Sequence, residues 1–229
     1  MVVLATKLYV DGDARERSLD SLRSLVDNEI GELAVEFELG VRHDDFPSVT
    51  IDGEDATVAR NVLREEFGEI VPDLEAGETY VGTLESWDED GFVLDAGQAV
   101  RIPVDELGLG PGTAIQVRER FGLVQHVPLR FVYGGSDDVD GGQPSRLADA
   151  ERDRLFEWTR GSGRLNVNSA TRAEVRATLN RAGHAQDYVT VERLGLLEQS
   201  VVCTDDTDPP GLLASVGEYL PAELRCVVP

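Results

Sequence analysis

Lysine is almost absent from this 229-residue chain, in which Lys7 stands alone beside 20 arginines. Acidic residues number 44, so the net charge at pH 7 is −23. That charge repels polyanions in dilute buffer, but screening shortens the repulsion to about 3 Å in 1 M salt. Any binding of nucleic acid by this chain therefore rests on hydrogen bonds and stacking more than on counterion release.

Long apolar runs are missing too, and cysteine is scarce. No run approaches the ~20 residues of a membrane span, and the N-terminus lacks the basic and apolar regions of a signal peptide. Cys203 and Cys226 are few enough to fit a reducing compartment. Acid excess without lysine is typical of proteins adapted to a salt-loaded cytoplasm. We therefore expect a cytoplasmic, halophilic protein with no membrane partner.

Catalytic signatures are absent. The sequence has no nucleophile elbow, no zinc-ligand quartet and no dinucleotide or phosphate-loop fingerprint. The three histidines are scattered. His43 precedes Asp44 and Asp45, for which a solvated turn is favoured, and His184 lies near Asp187 and Glu192, for which a capping or core role is favoured. We expect a protein that is not an enzyme and holds no metal or cofactor.

The first third of the chain, residues 1–72, alternates between strand and helix patterns. The order is strand (2–10), helix, strand, strand, helix, with 69–71 as a candidate last strand. In the first helix, Leu22 and Val26 recur at helical spacing. This order is that of a ferredoxin-like βαββαβ domain.

Residues 73–133 have a different pattern, with short alternating apolar runs between turn signals. The runs cover 80–84, 92–94, 100–104 and 114–117, and Gly, Asp and Pro separate them. A single helical turn is predicted at 105–107. Four or five short strands with one helical turn before the last strand indicate a small OB-like β-barrel.

Residues 77–118 resemble OB-fold RNA-binding modules of the ribosomal S-one type. The matching segments are 80–84, Gly91-Phe92-Val93, 105–107 and Gly112, while Pro103 stands where those modules commonly have a histidine. The resemblance implies RNA binding through the exposed barrel face. The whole chain also resembles an uncharacterised archaeal family, a domain of unknown function in its haloarchaeal form, which implies no particular activity.

The stretch 134–145, rich in Gly, Asp, Ser and Pro, predicts a flexible linker and a domain boundary. Beyond it, residues 146–229 predict one helix and then a second ferredoxin-like βαββαβ unit. Cys203 and Cys226 fall on strands that this fold does not place side by side, so both are expected to be free and buried. The predicted fold class is α+β, with two ferredoxin-like units flanking the OB-like barrel.

Positive charge is concentrated in one segment. Residues 146–181 contain eight arginines against five acidic residues, in a chain that is otherwise strongly acidic. Arginine suits a phosphate-facing surface because its planar guanidinium can bind two oxygens at once. Ion pairs along helix surfaces are the alternative explanation.

These patterns favour a non-catalytic adapter that binds RNA or a ribonucleoprotein. Aromatic side chains on the OB-like face would stack on bases and arginines would bind phosphates. The candidate RNA-binding residues are Tyr80, Trp87, Phe92, Arg101, Arg118, Arg164, Arg172 and Arg176. A protein-interaction or small-ligand regulatory module without nucleic-acid binding is the alternative.

Overall fold

A computed structural model describes residues 1–135, 142–220 and 222–229 of the chain. These residues form three antiparallel sheets with helices packed on them, which is an α+β architecture as predicted. Within these ranges, no helix has both the length and the apolar character needed to cross a membrane.

The N-terminal unit is a three-stranded sheet with two helices. Its elements are β1 (Val2–Val3), α1 (Gly12–Ile30), β2 (Val35–Val41), β3 (Pro47–Gly53) and α2 (Ala56–Phe67). The strand order is β1-β3-β2. The strand predicted at 2–10 is only two residues long, and the one predicted at 69–71 is reduced to a bridge between Leu4 and Glu69. Leu22, Val26 and Ile30 lie on the buried face of α1.

The central unit is built on a five-stranded sheet that curls into a half-barrel. Its elements are β4 (Thr79–Trp87), β5 (Gly91–Asp95), β6 (Ala99–Pro103), α3 (Val104–Leu107), α4 (Ala114–Arg120), β7 (Pro128–Val132), β8 (Arg146–Leu147) and α5 (Asp149–Trp158). The strand order is β6-β5-β4-β7-β8. Helix α3 contacts both edge strands, β6 and β8, which also contact each other.

The strand predicted at 114–117 is wrong, because this segment forms helix α4. The Gln116 backbone N–H donates to the Thr113 hydroxyl, and the Gln116 side chain accepts from the Thr113 backbone N–H at 3.0 Å. This reciprocal pair is a capping box. Ala114, Val117 and Phe121 are buried at helical spacing. The final strand of the expected barrel is therefore missing, and β7 and β8 extend the sheet instead.

The stretch predicted as a linker, 134–145, connects two neighbouring strands of one sheet. Phe131 and Val132 of β7 pair with Leu147 and Arg146 of β8. Helix α5 then packs against β7. We therefore assign 146–159 to the central unit rather than to the C-terminal one. Residues 136–141 of the predicted linker lie outside the described residues.

The C-terminal unit is a four-stranded antiparallel sheet with two helices. Its elements are β9 (Arg164–Val167), α6 (Arg172–Arg181), β10 (Tyr188–Arg193), β11 (Gln199–Cys203), α7 (Pro209–Val216) and β12 (Leu224–Val227). The strand order is β10-β11-β9-β12. Cys203 on β11 and Cys226 on β12 are separated by β9, and both are free as predicted. Cys203 is buried, whereas Cys226 is only half-buried.

The three units share their apolar cores. Leu196 and Leu197, which precede β11, pack in the core of the N-terminal unit. Val227 of β12 packs in the core of the central unit. The Leu196 backbone N–H also donates to the Thr6 hydroxyl at 2.9 Å, inside the protein. These contacts bring side chains from all three units to one surface groove.

Candidate functional site

Three cavities follow one another along the junction of the three units. The first, middle and third cavities have volumes of about 380, 280 and 450 Å³. Arg130 lines both the first and the middle cavity, and Arg154 and Arg193 line both the middle and the third. The middle and third cavities together form what we call the arginine groove, whose arginines are Arg130, Arg154, Arg164, Arg172 and Arg193.

The charge changes sign along the series. Two arginines and three glutamates line the first cavity, so its lining carries a net −1. The middle cavity has three arginines and one glutamate, and the third has four arginines and two glutamates. Each cavity of the arginine groove thus has a lining of +2, although the whole chain carries −23. The groove is a positively charged strip within an acidic protein.

Glu151 holds the side chain of Arg154 and the backbone of Arg130 in the central unit. Its side chain is buried, with 1% of the residue exposed. One carboxylate oxygen accepts from the Arg154 Nε at 3.0 Å, and the other accepts from the Arg130 backbone N–H at 3.2 Å. The Arg154 guanidinium also lies 5.1 Å from the centroid of the Trp158 ring. Arg154 therefore faces the groove in a fixed orientation.

Arg193 reaches the groove from the end of β10 in the C-terminal unit. Its guanidinium pairs with Glu66 of α2 and lies 5.2 Å from the centroid of the Phe67 ring. Arg193 thus links the C-terminal unit to the N-terminal unit at the wall of the middle cavity.

Arg164 forms the inner wall of the third cavity. It pairs with Glu192, donates to the Ser200 hydroxyl at 3.3 Å and lies 5.5 Å from the centroid of the Trp158 ring. The guanidinium groups of Arg154 and Arg164 therefore both lie over the Trp158 ring. Cation–π contacts of this kind hold the cations where they can still donate to a ligand.

Arg130 and Arg172 are exposed, and their side chains make no ion pair or hydrogen bond with the described part of the chain. Arg130 lies on β7, between the buried Leu129 and Phe131. Arg172 is the first residue of α6, at the edge of the third cavity. Their donors are free for a ligand, and they stand beside arginines that the protein already holds in place.

A buried polar junction lies next to the middle cavity. The Tyr9 hydroxyl donates to a Glu198 carboxyl oxygen at 2.7 Å and accepts from the Ser169 backbone N–H at 2.9 Å. Burial raises the pKa of Glu198 to about 8. Gly195 lies between this carboxyl and the cavity. A Cβ at that position would collide with Glu198 and lie 3.0 Å from Pro128.

His126 and Lys7 complete this junction. The His126 ring centroid lies 4.1 Å from that of Tyr9, and burial lowers the pKa of His126. Lys7 pairs with Glu85 at 2.9 Å and with Asp95 at 2.8 Å, so the one lysine of the chain joins the N-terminal unit to the central unit.

Three of the residues predicted to bind RNA line the cavities. Arg164 and Arg172 meet in the third cavity. Tyr80 lines the first cavity, where its hydroxyl accepts from the Glu75 backbone N–H at 2.9 Å and its ring packs on Phe131.

Phe92 has a packing role instead of the predicted stacking role. The ring is fully buried in the central core, since alternation on β5 directs it to the concave face of the half-barrel. No face of the ring is available to a base.

Trp87 and Arg118, two further candidates, contact each other. The Arg118 guanidinium lies 3.4 Å from the centroid of the Trp87 ring and pairs with Glu223 of the C-terminal unit. Only 2% of Arg118 is exposed, and burial lowers its pKa, while the Glu223 pair opposes that shift. This pair joins the central and C-terminal units and offers little surface to a ligand.

The remaining candidates lie outside the arginine groove. Arg101 on β6 is exposed and donates to both carboxylate oxygens of Asp88, at 2.9 and 3.0 Å. Arg176 is exposed on α6, one turn after Arg172, and does not line the third cavity.

Sequence reasoning missed Arg130, Arg154 and Arg193 as site residues. Alternation along β7 predicts that Arg130 points outward, and the positively charged segment 146–181 includes Arg154. Neither signal indicates that these side chains meet Arg193, which is far away in sequence.

His184 contacts two side chains in an arrangement of nucleophile, base and acid. Its Nδ1 lies 2.6 Å from an Asp187 oxygen and its Nε2 lies 2.6 Å from the Ser215 hydroxyl, whereas Glu192 pairs with Arg164 instead. Ser215 is in the last turn of α7, where the Gly217 N–H already donates to Leu213. The negative end of the helix dipole disfavours an oxyanion beside Ser215.

Metal ligands are not grouped in the described residues: no three His, Cys, Asp or Glu side chains there are arranged to hold an ion. The features that remain are the arginine groove and the polar junction beside it.

Comparison with known proteins covers almost the whole chain. No curated protein matches the sequence. Family models match as the DUF2110 N-terminal domain over residues 1–73, the DUF2110 central domain over 74–159 and the DUF2110 C-terminal domain over 162–228. The chain therefore belongs to the DUF2110 family.

Proposed function

We propose that this protein is a non-catalytic adapter that binds RNA, alone or within a ribonucleoprotein, in the arginine groove. The observation that carries the proposal is the charge of the groove. Five arginines and three glutamates line it, in a chain whose net charge is −23.

The chemistry of the groove suits phosphate. A guanidinium donates two parallel hydrogen bonds to a phosphate, which gives direction as well as attraction. Arg154, Arg164 and Arg193 are held by carboxylates and aromatic rings, so little side-chain entropy is lost on binding. Short-range hydrogen bonds persist in concentrated salt, where long-range attraction does not.

The proposed setting of the protein follows from its composition. The acidic surface with one lysine supports a halophilic, archaeal and cytoplasmic protein. The βαββαβ order of the C-terminal unit, with strand order β10-β11-β9-β12, supports a ferredoxin-like fold there, and the N-terminal unit is a reduced version of it.

Crosslinking in the cells that produce the protein, followed by sequencing of the attached RNA, tests the proposal. The test variant is Arg130→Gln/Arg172→Gln, which changes exposed arginines that have no described partner. The matched control is Arg23→Gln/Arg181→Gln, since both of its arginines are also exposed but lie outside the groove, on α1 and α6. We expect RNA to be enriched with the wild type and the control, and to be lost with the test variant.

Two results would overturn the proposal. RNA at background level with co-purifying protein partners would favour the alternative, a protein-interaction module. RNA retained equally by both double variants would place the contact outside the arginine groove.

A further inference from the structure

We infer that the arginine groove recognises the end of a single-stranded RNA, with a terminal phosphate in the middle cavity and the strand leaving through the third cavity. This inference rests on the proposed function and adds the class of RNA and its direction in the groove.

The charge of the three cavities sets the direction. A strand lying in the third and middle cavities meets a lining of +2 in each. Beyond Arg130 it would enter the first cavity, where Glu65, Glu69 and Glu78 outnumber the arginines. Each further phosphate there would be placed among carboxylates, and like charges at close range are unfavourable. Binding of a strand is therefore more favourable when the strand ends at the middle cavity.

The middle cavity is the smallest of the three, and it gathers arginines from two units. Arg130 and Arg154 come from the central unit and Arg193 from the C-terminal unit, around about 280 Å³. Glu66, the one carboxylate of the lining, already pairs with Arg193. The N-terminal unit contributes this wall, so occupancy of the cavity engages all three units.

A terminal phosphate matches this set of donors better than an internal one. A phosphate monoester has three non-bridging oxygens and carries close to two charges above its second pKa of about 6. A phosphodiester within the strand has two such oxygens and one charge. Three guanidinium groups can satisfy the three oxygens of the monoester, and its second charge offsets the +2 lining.

Arg130 carries most of this discrimination, because it is exposed at the boundary between the first and the middle cavity. Arg172, at the far edge of the third cavity, contacts the body of the strand instead. The two arginines therefore have separable roles: Arg130 recognises the terminal phosphate, and Arg172 adds affinity for any RNA strand.

The test compares three single-stranded RNA oligonucleotides of one sequence, about eight nucleotides long. One carries a 5′ phosphate, one a 3′ phosphate and one hydroxyl groups at both ends. Dissociation constants are measured with the full-length protein above pH 7, where the monoester is dianionic. We expect one phosphorylated oligonucleotide to bind about tenfold more tightly than the hydroxyl-ended one, as one added charge-assisted hydrogen bond provides.

Variants separate the two roles. Arg130→Gln is expected to remove the preference for a terminal phosphate, whereas Arg172→Gln weakens all three oligonucleotides by the same factor and keeps their ratio. Arg23→Gln, at an exposed position on α1 outside the groove, is the control and keeps the wild-type values. Thermal unfolding of each variant checks that the fold is intact.

The outcomes distinguish this inference from the proposed function. Equal affinity for the three oligonucleotides, or a preference that survives Arg130→Gln, overturns end recognition while groove binding stands. Failure of all three oligonucleotides to bind overturns the proposed function and the inference with it.

Discussion

The Tyr9 hydroxyl donates a 2.7 Å hydrogen bond to the carboxyl group of Glu198, and this bond joins the N-terminal unit to the C-terminal unit. Glu198 is fully buried, and its second oxygen has no hydrogen-bond partner among the described residues. Burial raises the pKa of Glu198 to about 8, because an ionised carboxylate away from water is unfavourable. The carboxyl beside the groove is thus a neutral acid at pH 7.

The stability of the protein should therefore fall as the pH rises. Between the ordinary pKa of 4.5 and the folded-state value of about 8, folded Glu198 binds more protons than unfolded Glu198. The stabilising contribution of Glu198 to folding is therefore complete below pH 4.5 and is lost above about pH 8. Urea denaturation from about pH 5 to about pH 9 should show this decline, and Glu198→Gln should remove it.

A control variant and the titration of His126 help to interpret the pH dependence of stability. Glu29→Gln changes an exposed glutamate and should keep the wild-type pH profile. Burial lowers the pKa of His126 below 6.5, so His126 favours folding at higher pH and acts against Glu198 in the acidic part of the range. A pH profile that is the same in Glu198→Gln and in the wild type would contradict this account of the junction.

Loss of the Glu151 carboxylate should destabilise the fold and disorder the groove together. Glu151→Ala leaves the Arg130 backbone N–H and the Arg154 guanidinium without their partner. Because Arg154 is partly exposed, we expect a loss of about 3 kcal/mol in the free energy of unfolding, at the low end for a buried pair. RNA affinity should fall as well, since Arg154 is no longer positioned.

Asp153→Ala on the same helix is the control for that change. Asp153 is exposed and lies outside the groove, so its loss should change the free energy of unfolding by less than about 0.5 kcal/mol. Equal stabilities for the two alanine variants would mean that Glu151 does not organise the groove.

Phe92→Ala should affect stability but not RNA binding. The ring fills the fully buried core of the central unit, and removing a buried phenylalanine costs about 3–5 kcal/mol. Chemical denaturation measures the loss, and binding is measured under conditions in which the variant remains folded. RNA affinity that falls while the folded fraction is unchanged would return Phe92 to the binding surface.

Thr113→Ala tests the assignment of 114–120 as a helix. The substitution removes the hydroxyl that accepts from the Gln116 N–H, and losing such a cap costs about 1 kcal/mol. Thr57→Ala, at an exposed position within α2, should change the free energy of unfolding by less than about 0.5 kcal/mol. If both substitutions have the same small effect, the Thr113 cap does not stabilise α4.

Local signals predicted the C-terminal unit well. In that unit, Arg164–Val167 is a strand, the capping box of Thr171 and Glu174 starts α6, and the Asp208 side chain caps α7. Each of these features depends on residues a few positions apart. Residues 114–117 were misread because a four-residue apolar run fits a strand as well as one turn of a helix.

The arginine groove could not be predicted from the sequence, for a different physical reason. Arg130, Arg154 and Arg193 converge because three separately patterned units dock through Leu196, Leu197 and the polar junction. Local periodicity contains no information on that docking. Arg164 and Arg172 were proposed because they lie in the segment with excess positive charge; Arg154 lies in the same segment but had no feature that singled it out.

The most direct test of the central claim is the affinity of the purified protein for one single-stranded RNA across a series of KCl concentrations. We compare the wild type with Arg130→Gln/Arg172→Gln and with Arg23→Gln/Arg181→Gln. We expect the groove variant to bind at least about tenfold more weakly than the wild type. The slope of log K against log salt should also decrease in magnitude by about 1.4, since two phosphate contacts are lost. Equal affinities and slopes for the two double variants would contradict the claim that RNA lies in the arginine groove.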